Sequence, residues 1–166
     1  RFDASGFADP LPTVTAMEMN YARPHARPAA VYLLTGEEAS AWDESALTWD
    51  NAPGHRKDGP GFTDDAIFLG QIDGAGVGDW IRMDFDAAAA RKVTEALNTG
   101  GRQAILVFQH IGTRQFNIYS REFQGGAKAA RLVFDAPLPG STTRVERTPN
   151  PGVDLPIVYE SGRGER

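Results

Sequence analysis

Apolar and polar positions alternate with a period of two along most of this chain, which is the rhythm of half-buried strands. Residues 13–20 (Thr13-Val14-Thr15-Ala16-Met17-Glu18-Met19-Asn20) predict a strand after the Pro10-Leu11-Pro12 turn. Residues 30–35 predict a mostly buried one, with Pro24 and Pro28 breaking the chain between the two. Residues 50–65 hold Gly54, Gly59, Pro60 and Gly61 among several charges and read as a long loop. A strand over 66–73 ends at Gly74-Ala75-Gly76-Val77-Gly78, and the next runs over 79–85. In that strand Ile81, Met83 and Phe85 share one face and Trp80, Arg82 and Asp84 the other.

One stretch changes period. Asp86 is a ready N-cap for Ala87-Ala88-Ala89-Ala90, and Ala90, Val93 and Leu97 make an apolar stripe, so 86–97 predicts a helix. Asn98-Thr99-Gly100-Gly101 ends it. Residues 103–111 are apolar on both faces, as a central strand requires, and 115–120 and 130–135 alternate again. About seven short strands at regular spacing with one short helix predict an all-β fold, a two-sheet β-sandwich of the jelly-roll kind.

From residue 136 the pattern dissolves. Pro137, Pro139, Pro149, Pro151 and Pro156 punctuate a Ser/Thr/Arg stretch, so the chain divides into a sandwich over 1–135 and a Pro-rich linker, or the start of a neighbouring segment, over 136–166. Only 153–159 offers a further strand there. The 166 residues suit one domain plus a tail, and 18 Gly with 11 Pro suit a fold with many turns. No run of 18 apolar residues is present, and no cationic stretch leads into an apolar one. The sequence opens inside an apparent strand without a Met, and reads as a piece of a longer precursor. With no cysteine, disulfide scaffolds, zinc–cysteine sites and thiol catalysis are excluded.

The net charge of −5 conceals an asymmetry. Residues 1–86 carry a net −9. Residues 87–134, with Arg91, Lys92, Arg102, Arg114, Arg121, Lys128 and Arg131 against Glu95 and Glu122, carry a net +5. Such a segment either receives an anionic ligand or pairs with the acidic part across the fold, and the second is the expectation because surface charges usually mix. Nothing in the balance points to nucleic acid.

The segment Trp42-Asp43-Glu44-Ser45-Ala46-Leu47-Thr48-Trp49-Asp50-Asn51-Ala52-Pro53 is the most distinctive. It resembles the W-x-E-x-x-[VL]-T-W-x-N-x-P segment of DNRLRE-type domains, bacterial secreted β-sandwich modules that include alginate-lyase-associated carbohydrate-binding modules. Arg1-Phe2-Asp3-Ala4-Ser5 resembles their "RFDLS" strand, Trp80 to Asp86 the strand leading into a short helix, and Tyr119-Ser120-Arg121-Glu122 their "SRE" segment before a closing Leu132-Val133. The likeness covers residues 1–135. The family carries further residues ahead of the first of these strands. The resemblance therefore implies a sandwich without its N-terminal strands, which leaves sheet edges unpaired.

The candidate residues each have a plain structural reading beside the functional one. Trp42, Glu44, Trp49 and Asn51 are expected to pin a long crossover onto the core rather than to stack sugars. Trp80 and Arg82 suit a sugar ring and its carboxylate or sulfate, unless Trp80 lies against the helix. Arg114, Asn117, Tyr119 and Arg121 form a second polar strip, with an Arg121–Glu122 ion pair as the plainer alternative. His25, His55 and His110 lack metal-ligand spacing. Asp64, Asp73 and Asp79 could give oxygen ligands to a structural calcium, without EF-hand spacing. No G-x-S-x-G is present, Ser120 has no motif around it, and no carboxylate pair is marked by its setting, so a non-enzyme is expected.

The expected function is a non-catalytic carbohydrate-binding module of a secreted or cell-surface multidomain bacterial protein. Acidic polysaccharide is its partner, with no cofactor apart from that calcium, no nucleic acid and no membrane insertion. The competing expectation is a structural spacer or protein-contact domain. A binding module exposes an aromatic–Arg patch; a spacer buries Trp80 and Tyr119.

Overall fold

The computed structural model describes residues 1–7, 9–22, 28–35, 46, 48, 51–56, 58, 61–73, 79–99, 101–111, 118–119, 123–136 and 157–159. The elements run β1 (Phe2–Asp3), β2 (Val14–Asn20), β3 (Ala29–Leu34), β4 (Ala66–Ile72), β5 (Trp80–Asp84), α1 (Ala87–Asn98), β6 (Gln103–His110), β7 (Arg131–Phe134) and β8 (Ile157–Tyr159). They form two four-stranded sheets, ordered β1-β6-β3-β4 and β5-β2-β7-β8. All pairings are antiparallel except β7 with β8, which is parallel. The fold is an all-β sandwich, with one short α-helix among the described residues.

The alternation read from the sequence is what builds the core. Met17 and Met19 of β2, Met83 of β5 and Leu132 and Phe134 of β7 project from the second sheet. Val31, Leu33, Leu69, Ile72 and Leu106 meet them from the first, all in one buried cluster. The strand over 103–110, apolar on both faces, lies between β1 and β3 as a central strand should.

Helix α1 joins that core through Ala89, Ala90, Val93 and Leu97. Asp86 is its N-cap, accepting from the backbone N–H of Ala88 at 2.9 Å and of Ala89 at 2.8 Å. Two helix side chains also tie down the entry to β2. Thr94 Oγ1 accepts from Val14 N–H at 2.8 Å, and Asn98 Oδ1 accepts from Leu11 N–H at 2.9 Å. Burying Val93 and Leu97 completely contributes roughly 1.5–3 kcal/mol each. The turn after the helix is left-handed at Gly101, and also at Arg102 with φ 62°.

Two features depart from the simple alternation. A bulge in β4 sets Val31 against Gly70 but Tyr32 against Phe68, so Leu69 is an extra residue. Leu69 and Gly70 therefore face the core, where a Cβ on Gly70 would stand 3.4 Å from Met83 Sδ. Phe68 faces outward. The 50–65 stretch is also more than a loop, because His55 and Phe62 form a β-bridge within it. Gly54, at φ 72°, lies so close to Leu34 that a Cβ would collide with Leu34 Cδ2. In the segment expected as linker, Ile157–Tyr159 pairs with β7.

Candidate functional site

The outward face of β5-β2-β7 gathers the charged and aromatic residues. Glu18 is the register partner of Arg82 on one side and of Arg131 on the other. Strands lie ~4.8 Å apart, so one carboxylate stands between two guanidiniums. Arg131 Nε donates to Glu18 Oε2 at 2.5 Å, and Arg82 Nη1 lies 3.6 Å from Glu18 Oε1. Arg82 Nε also donates to Asp84 Oδ1 at 2.6 Å. Glu18 is buried, which a carboxylate in mid-strand tolerates only when its oxygens are met by donors.

Trp80 lies one outward position along, opposite Asn20. The Arg131 guanidinium packs over its ring, 4.0 Å from the centroid, a cation–π contact. The Arg131 side chain is 21% exposed, whereas Trp80 is 37% exposed. Arg131 therefore covers one face of the indole, and Trp80 remains partly exposed. The exposed face expected for Trp80, Arg82 and Asp84 is observed, opposite half-buried Ile81, buried Met83 and half-buried Phe85.

Tyr119 joins the same end of β2. Its N–H donates to Asn20 O at 3.2 Å, Ile118 bridges Tyr21, and Lys128 Nζ stands 4.5 Å from the Tyr119 ring centroid. Tyr21 beneath is fully buried. Burial, and secondarily the negative charge of Asp73, push its hydroxyl up to about 12.

The other expected residues are distributed as follows. Arg114, Asn117 and Arg121 of the binding strip, and Trp42, Glu44 and Trp49 of the tryptophan segment, lie outside the described residues. Asn51 bonds within its own segment: Oδ1 accepts from Thr48 N–H at 2.6 Å and Nδ2 donates to Ala46 O at 2.9 Å. Asp64, Asp73 and Asp79 are exposed, and Asp73 accepts from Gln71 Nε2 at 3.3 Å. Among the described residues no three His, Asp or Glu side chains gather as a metal-ligand set, so these aspartates do not converge. The cationic segment pairs partly with the acidic part, through Arg131–Glu18 and Arg102–Asp9 at 2.6 Å.

Sequence reasoning missed Glu18 and Arg131 as members of this face. A signal for Glu18 was present: a carboxylate flanked by Met17 and Met19 in an otherwise apolar strand needs a cation opposite it. Which cation depends on register, which the pattern of one strand does not carry.

Chemically the face offers an indole ring, a guanidinium–carboxylate pair at its rim and a second guanidinium beneath. It can stack on an apolar ring face and hydrogen-bond to hydroxyls or anions. In comparisons with known proteins, no family model, curated protein or solved structure matches this chain.

Proposed function

We propose that the chain is a non-catalytic carbohydrate-binding module of a secreted multidomain bacterial protein, with acidic polysaccharide as its favoured ligand and a jelly-roll sandwich as its scaffold. The observation that carries this reading is the partly exposed Trp80 indole, packed against Arg131 and next on its strand face to the Arg82–Asp84 pair. A spacer has no use for such a patch and buries its tryptophan. The likeness of the tryptophan segment and of the Trp80 strand to DNRLRE-type modules supports the same class.

The chemistry of the face fits binding better than catalysis. Both oxygens of Glu18 are met by guanidiniums, and the other carboxylate, Asp84, is engaged by Arg82, so neither is set up as an acid–base partner of the other. Arg82, Arg131 and Lys128 stand here with the Glu18 and Asp84 carboxylates, and Asp73 is near enough to act on Tyr21. Electrostatics then tunes affinity while stacking supplies most of it.

Native affinity electrophoresis tests the reading, in gels containing alginate, a sulfated glycan or a neutral glucan, at low and moderate salt. Retardation by an acidic polymer is expected. It should weaken with salt and with Arg82→Ala, and disappear with Trp80→Ala. A folded protein retarded by none of the polymers would move the assignment to the spacer role.

A further inference from the structure

The opposite side of the sandwich carries a second aromatic group, different in kind. On the outward face of the first sheet, Phe68 of β4 and Tyr32 of β3 are register partners with ring centroids 5.4 Å apart, edge to face. Phe62 also packs on Tyr32, with ring centroids 4.8 Å apart. The Tyr32 hydroxyl donates to Gln109 Oε1 of β6 at 3.2 Å. Phe68 is 58% exposed, the most exposed large apolar side chain among the described residues.

The bulge in β4 is what turns Phe68 out, because without the extra Leu69 the alternation would reverse on one side of it. The neighbouring half of this face is closed: Leu34 and Ile105 are buried, and Gly54 lies against Leu34. The half that remains open has Ala30, Tyr32 and Val107 as its floor, with Phe68 and Gln71 of β4 on one side and Gln109 on the other. These side chains are uncharged, and Gln71 Nε2 is held by Asp73 Oδ1 at 3.3 Å at the rim.

We infer that this surface is a second saccharide site, for a neutral glycan, with Phe68 as the stacking platform and the Tyr32 hydroxyl and Gln109 amide as the readers of sugar hydroxyls. Three arguments select that occupant. The first is area. An exposed fraction of 58% on an aromatic of roughly 200 Å² leaves roughly 120 Å² of Phe68 accessible. Apolar area of that size, concentrated on one ring, suits one sugar ring face.

The second argument is hydrogen bonding. Gln109 uses its carbonyl oxygen for Tyr32, which among the described residues leaves its amide N–H donors for a ligand. The tyrosine oxygen still accepts. A donor and an acceptor side by side beside aromatic rings match sugar hydroxyls, and neither attracts an anion. The third is span. From Phe68 on β4 to β6 is two strand spacings, roughly 10 Å, which admits two linked sugar rings lying across the strands. The site uses no residue of the Trp80 face and does not depend on that face binding anything.

The test uses the whole chain and two neutral probes, hydroxyethylcellulose and a soluble β-1,3-glucan, in affinity electrophoresis and titration calorimetry. We expect binding to at least one, unchanged between about 50 and about 500 mM salt. Phe68→Ala should weaken it at least about five-fold and Gln109→Ala measurably, while Phe68→Trp and Trp80→Ala retain it. Unfolding curves of the Phe68 variants check that they fold, which the exposure of this side chain favours. No binding to either polymer by folded protein overturns the inference. So does binding lost in Trp80→Ala but kept in Phe68→Ala, which returns all recognition to the other face. A concentration-dependent dimer in sedimentation that Phe68→Ala dissolves also overturns it, in favour of self-association.

Discussion

Replacing Glu18 by Gln keeps the shape of the side chain and removes its charge, leaving Arg131 and Arg82 facing one another across an amide. The Arg131–Glu18 pair is little exposed, with side chains at 21% and 11%, so solvent screens it weakly. A hydrogen bond to a charged group contributes about 1.5–3 kcal/mol, and the longer, more exposed Arg82 contact adds little. The expected loss is about 2 kcal/mol, which at a urea dependence of about 1.5 kcal/mol/M moves the midpoint down by about 1.3 M. The double-mutant cycle with Arg131→Gln isolates the pair and should return a coupling of about 1.5 kcal/mol. Near-UV circular dichroism should change as well, because Arg131 is held against the Trp80 ring by the carboxylate. A coupling below about 0.5 kcal/mol would refute the reasoning, since the pair would then be as weak as a solvated surface bridge.

Three other outcomes follow from particular contacts. Asp84 is 74% exposed and competes with any ligand anion for Arg82, so Asp84→Asn should raise affinity for alginate about two- to five-fold, and a fall would count against Arg82 as the anion contact. Asn98→Ala deprives the Leu11 N–H of its acceptor and should cost about 1–2 kcal/mol in urea unfolding, while Asn98→Asp keeps an acceptor and should cost less. Burial pushes the Tyr21 hydroxyl from its ordinary 10.0 up to about 12, so between those values the native state keeps a proton that the unfolded state has lost. Stability should fall as pH rises from 10 to 12, and Tyr21→Phe should remove its part of that slope; an unchanged slope would mean that Tyr21 is not the group responsible.

The strands and the helix were legible because each is a local pattern. Met17 and Met19 alternate with Glu18, and Ala90, Val93 and Leu97 recur at helical spacing, so burial alone assigns the period. Asp86 was legible as a cap for the same reason, its acceptor lying within three residues of its donors. The Trp80–Arg82–Asp84 face was legible because it needs only the two-residue period of one strand. The Glu18–Arg131 pairing was not, since those residues are 113 apart and meet only through the register of two strands. Phe68 is misplaced by any simple alternation, because a one-residue bulge reverses the faces of everything beyond it.

The two outward faces of this sandwich solve the same problem differently. Each sheet must leave one side to solvent, and a wholly apolar outer side would associate indiscriminately. The second sheet satisfies this with charge: Arg82, Glu18 and Arg131 form a row across three strands, and the aromatic residue there is stacked on a guanidinium. The first sheet lays the Gly54 backbone against Leu34 and leaves Phe68, Tyr32 with Phe62 packed on it, and the Gln71 and Gln109 amides beyond. Salt therefore acts on one face and not on the other. A ligand that binds through the Trp80 face should loosen as ionic strength rises, whereas one bound at Phe68 should not. A single salt titration on Trp80→Ala and Phe68→Ala therefore separates the two faces, whichever glycan serves as the probe.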